Sequence, residues 1–135
     1  MTERELNKAR ELKERIRELE RHIAALRLSA ADIVPGLDGM PHGTDIKSKV
    51  EKLAARLVDE ERELESIRAE LCAAAIHIAN QIQAADLKRK EKTVLILRYV
   101  TCMNFRDISF QLGLSDATTF RLHHDGIKKM IVDES

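Results

Sequence analysis

The 135 residues include 34% charged and only 3% aromatic side chains, with two prolines and no tryptophan. That composition favours long amphipathic helices over a thick globular core. The length bounds the chain to one domain or two small ones, and thin helices bury little surface alone, so pairing with a second copy is expected. No stretch approaches the ~18 apolar residues of a membrane span, and the charged start Met-Thr-Glu-Arg-Glu lacks the apolar core of a signal peptide. No membrane is expected, and the expected location is cytoplasmic. The two cysteines, Cys72 and Cys102, lie in apolar helical pattern without paired spacing and read as free buried thiols suited to a reducing compartment.

Thr2 and Glu5 have the spacing of a capping box at the start of a first helix. Leu12, Ile16, Leu19, Ile23 and Leu26 then recur in steps of four and three, the seam of a coiled coil. The pattern runs to about Ala31. It stops at IVPGLDGMPHGT, which holds both prolines and three of the five glycines, so a connecting loop is expected over about 32–44. A second helix should begin near Thr44 or Asp45 and run to about Ala85. Its seam is Ile46, Val50, Leu53, Leu57, Leu64, Ile67, Leu71, Ala74 and Ile78. Glu60 falls in that series, where a charge either fixes register and partner or leans to the wet edge. The loop length predicts an antiparallel hairpin over residues 1–85. The surplus of its second helix, Cys72 to Ala85, is apolar on more than one side and should be covered.

Residues 86–135 read as a separate unit of three shorter helices. Lys88 to Val100 forms the first, with Val94, Leu95, Leu97 and Tyr99 on a broad apolar face. Asn104 caps the second, striped by Phe105, Ile108 and Leu112 and ended by Gly113, a residue suited to positive φ. Ser115 caps the third, with Thr119, Leu122, Ile127 and Met130 inward. Ser109 stands where two helices must touch, Gly113 follows at the tight turn, and Ile108, Leu112, Leu114 and Leu122 set a steep crossing. This spacing predicts a helix-turn-helix. The fold class is therefore all-α, a long helical hairpin followed by a helix-turn-helix unit.

Charge is unevenly spread. Residues 1–86 carry 14 Lys/Arg against 17 Asp/Glu, whereas residues 87–131 carry nine against four. A basic end on a neutral chain is a modest footprint of a nucleic-acid surface. In a helix-turn-helix the second helix enters the major groove. The residues left outward on it are Asp116, Ala117, Thr118, Phe120, Arg121 and His124. Arg121 suits a guanine edge or a phosphate, because its fork binds either bidentately; the bland alternative is a salt bridge with Asp125. Phe120 either meets a thymine methyl or sugar edge, or folds back as core. Lys128, Lys129 and Arg106 suit phosphate contacts, as does the cluster Lys88-Arg89-Lys90. Asp116 repels phosphate unless it caps the helix or accepts from a cytosine amino group. His123 and His124 are adjacent and point about 100° apart on a helix, so no metal site is expected. No catalytic constellation, phosphate loop or cofactor motif is visible, and an enzyme is not expected.

The segment ILRYVTCMNFRDISFQLGLSDATTFRLHHDGIKKM resembles region 4 of sigma-70 type factors. It is more similar to small phage and prophage proteins of the ArpU and RinA late-regulator style. The resemblance rests on Leu97-Arg98-Tyr99, Phe105 with Ile108, Leu112-Gly113 and Phe120-Arg121-Leu122-His123. Met40-Pro41-His42-Gly43 before Ile46 to Leu57 resembles the junction between the long helices of those proteins. It implies a sequence-specific binder of double-stranded DNA acting in phage transcription within a bacterial host cell, not a complete sigma factor; sigma-like units of this kind also contact RNA polymerase, and the homodimer expected from the thin helices would form through the helical arm. Asp125 and Gly126 depart from the pattern, which tends to a basic residue and alanine there. Two other classes compete: a protein-interaction module docking RNA polymerase, and a DNA-packaging protein of the small-terminase kind. In the latter the DNA-binding part usually comes first, unlike here.

Overall fold

The computed structural model describes residues 1–33 and 43–132, with side chains described for 1–31 and 47–131. Among them are five helices and no strand: α1 (Glu3–Ile33), α2 (Gly43–Ala84), α3 (Arg89–Tyr99), α4 (Phe105–Leu112) and α5 (Asp116–Val132). The chain is all-α. Most of the expected loop over 32–44 lies outside the described residues. The start of α1 is built as its sequence dictates: the Glu5 amide donates to Thr2 Oγ1 at 3.1 Å, and the Thr2 amide donates to Glu5 Oε2 at 3.0 Å.

The contacts divide the chain into two compact units, Met1–Lys13 with Glu70–Ser135, and Glu14–Ala69. The boundary therefore differs from a division at residue 85. The N-terminal end of α1 and the C-terminal end of α2 contribute to the first unit. Its core is Leu6, Ala9, Ile78, Ile82, Leu95, Tyr99 and Met130. Periodicity marks Ile78 and Tyr99 as apolar-face residues, but burial here depends on partners far away in sequence.

In the second unit, α1 and α2 bury Ile16, Ile23, Leu64 and Ile67. Arg15 pairs with Glu63 at 3.3 Å, while Leu26 and Ser29 lie beside Lys52 and Leu53. Later positions of α1 thus meet earlier ones of α2, an antiparallel arrangement. Glu60 is enclosed rather than wet. Its side chain is 13% exposed, with His22 Nδ1 3.1 Å from Oε2 and Arg56 Nε 3.4 Å from Oε1. Leu28 and Val58 remain exposed on this unit.

The cysteines differ from expectation. Cys72 is exposed because α2 turns Leu71, Ile78 and Ile82 inward, and Cys72 stands on another face. Ile76 is likewise uncovered, at 59% exposure. Cys102 lies between α3 and α4 rather than in a helix, at φ 64°. A positive φ costs a β-carbon-bearing residue about 1 kcal/mol or more.

Candidate nucleic-acid interface

The segment from α4 to α5 takes its shape from a few local interactions. Asn104 Oδ1 accepts from the Asp107 amide at 2.8 Å and starts α4. Gly113 ends it at φ 66°, and the Leu114 amide donates to the Ser109 carbonyl at 3.0 Å, satisfying one of the last carbonyls. A β-carbon at Gly113 would have open space around it; the requirement is conformational. Ser115 Oγ then accepts from the Thr118 amide at 3.1 Å and begins α5.

Ser109 and Thr119 meet where α4 crosses α5. Their hydroxyls lie 2.8 Å apart: Thr119 donates to the Ser115 carbonyl at 3.0 Å, and the single Ser109 proton goes to Thr119 Oγ1, with the Phe105 carbonyl at 3.0 Å as its alternative acceptor. Two buried hydroxyls are thereby satisfied without water. Ile108 beside them is fully buried. Farther along α5, Gly126 allows α3 to approach closely. A β-carbon there would lie 3.0 Å from Leu95 Cδ1, which gives a packing reason for a glycine inside a helix.

An aromatic cluster braces the three helices. Tyr99 Oη lies 2.7 Å from His123 Nε2, with the two rings stacked at 5.6 Å. Phe105 meets His123 edge-on at 4.8 Å and Phe120 at 4.7 Å. The Arg98 guanidinium sits 4.2 Å from the Phe105 ring centre, and its Nη1 donates to the Met103 carbonyl at 3.1 Å. Burial first, then the positive charges of Arg98, His124 and Arg10, lower the His123 pKa to about 4. The fold therefore favours neutral His123, whereas an unfolded chain protonates it near pH 6.5. Stability should be full above that value and decline as pH falls from about 6.5 toward 4. Chemical unfolding across that range checks it, and His123→Gln should flatten the slope.

Glu91 adds a second acid-sensitive contact. It is buried within the basic run and accepts from the Lys88 amide and from Lys129 Nζ, both at 2.8 Å. Burial alone would raise its pKa, but these hydrogen bonds and the charges of Lys129 and Lys88 together lower it. Its contribution is present above the ordinary carboxylate range and is lost as pH falls below it. The His123 slope thus begins at higher pH.

The outward face of α5 gathers several of the residues singled out by sequence. Asp116, Ala117, Phe120, Arg121, His124, Lys128 and Lys129 are exposed, as is Arg106 in the first turn of α4. Arg121 forms no ion pair among the described residues, and a bridge to Asp125 is not made. Thr118 is half-buried and its hydroxyl accepts from Ser115 at 2.8 Å, so it belongs to the cap. Lys129 is held by Glu91. Lys128 lines an open cleft with Ala85, Lys88 and Asp125. Phe120 is 50% exposed while resting on Phe105, combining the two fates its sequence position allowed. Sequence reasoning missed Phe110, which is 91% exposed. Its place in the turn of helix beside Ser109 carried the signal, because Phe105, Ile108 and Leu112 already define the inner stripe.

Among the described residues, no group of three His, Cys, Asp or Glu side chains could hold a metal ion, and no helix is long and apolar enough to cross a membrane. No protein-family model, curated protein or solved structure matches this chain.

Proposed function

We propose that the chain is a sequence-specific DNA-binding transcriptional regulator of phage or prophage type, with α5 as its major-groove helix. The observation that carries this reading is Arg121, a guanidinium exposed on α5 with no ion pair among the described residues. Ala117, His124 and Lys128 share its stripe at three- and four-residue spacing. Helix-turn-helix units present such a face to base edges, while phosphate contacts from Arg106 and Lys128 set the register. The resemblance to late regulators points the same way. Lys129 contributes less, because Glu91 already counters its charge.

The regulator acts as a homodimer through residues 14–69 in this reading. Leu28 and Val58, at 69% and 47% exposure, offer apolar surface there. Binding of labelled duplex should weaken steeply with salt, because neutralised phosphates release counterions. Failure to bind any duplex from a random pool, even at low salt, rejects the regulator. A clean monomer by sedimentation rejects the dimer. One observation favours a protein-docking role instead: Phe110 is an exposed aromatic on α4, and such residues are enriched at protein interfaces. RNA polymerase is the partner that reading would test.

A further inference from the structure

We infer that Phe120 determines sequence specificity: with Ala117 it forms an apolar lip on α5 that takes the 5-methyl group of thymine in duplex DNA. The inference rests on the DNA-binding reading and adds to it the base feature recognised. Phe120 leaves half its surface open, while the rest of the ring rests on Phe105 at 4.7 Å. Phe105 is itself fixed between the His123 edge and the Arg98 guanidinium. The open half is therefore a preorganised surface, and meeting a ligand costs little further ordering.

The neighbours on α5 narrow the ligand. Ala117, three residues earlier on the same side, is exposed and adds a second small apolar surface. Asp116 stands four residues before Phe120 and is also exposed. Its carboxylate would repel phosphate, which places this edge of α5 over bases rather than over the backbone. Arg121 and His124 supply polar groups beside the lip. In the major groove the apolar group presented by a base pair is the thymine methyl, and cytosine offers an amino donor suited to Asp116.

The experiment begins with duplexes selected by the full chain from a random pool. Each thymine in the bound site is then replaced singly by deoxyuridine, which removes the methyl and keeps every hydrogen-bonding group. The full chain should lose about fourfold in affinity at one or two positions, the value of one buried methyl. Phe120→Ser should bind more weakly and no longer distinguish thymine from deoxyuridine at those positions, while Phe120→Leu should retain the distinction. Because the substitution is in the DNA, the result on the unaltered protein stands even where a variant melts early. Tight duplex binding with uniform tolerance of deoxyuridine overturns the inference and leaves the DNA-binding reading intact. Absence of binding to any duplex overturns both.

Discussion

Leu95→Ala is expected to cost about 2–5 kcal/mol in urea unfolding, the range for a buried leucine truncated where neighbours collapse only in part. Leu95 has no exposed surface and belongs to the core with Leu6, Ile78, Ile82 and Met130. It also packs on Gly126, so the two positions should be coupled. In the native background Gly126→Ala gains helix propensity, about 1 kcal/mol. It also brings its methyl to 3.0 Å from Leu95 Cδ1. Removing Leu95 removes that conflict. Gly126→Ala should then stabilise the Leu95→Ala protein more than it stabilises the native chain, a non-additivity that a double-mutant cycle measures. A cost below about 1 kcal/mol for Leu95→Ala would contradict the closely packed α3–α5 contact described above.

Arg121→Ala is expected to weaken specific duplex binding by about 1–3 kcal/mol if the guanidinium reads a base. The fold should be unaffected, because Arg121 is exposed and makes no ion pair among the described residues. Arg121→Lys separates two modes of contact. A phosphate contact tolerates a lysine point charge, whereas a bidentate contact to a guanine edge needs the planar fork. Recovery of binding with lysine would assign Arg121 to the backbone. Continued loss confined to particular base substitutions would assign it to a base.

Local chemistry made much of α4 and α5 legible. Asn104, Gly113 and Ser115 mark helix ends through interactions spanning three or four residues, and Ser109 is small because it must touch Thr119. Long-range partners were not legible. The run Lys88-Arg89-Lys90-Glu91-Lys92 looks like a solvated charged face, yet Glu91 is buried because Lys129 reaches it from 38 positions away. The partner of His123, Tyr99, lies on a different helix, 24 positions away, where spacing along α5 cannot reveal it. Periodicity identifies which face of a helix is apolar, but it does not say what covers that face. Leu6 and Ala9, fully buried beside Met130, show the gap most clearly.

The amine of Met1 lies 3.5 Å from the Met130 carbonyl, across 129 positions of sequence. During synthesis the first turns of α1 must therefore wait, with Leu6 and Ala9 incompletely covered, until α5 has emerged. Contacts of such high sequence separation slow folding and lengthen exposure to aggregation. A fragment starting at residue 86 would carry α3, α4 and α5 but lack Leu6, Ala9, Ile78 and Ile82, leaving Leu95, Tyr99 and Met130 open to water. The part proposed to meet DNA cannot be cut out along the sequence, because its interior is supplied by the first turns of α1 and the last turns of α2 as well as by its own helices.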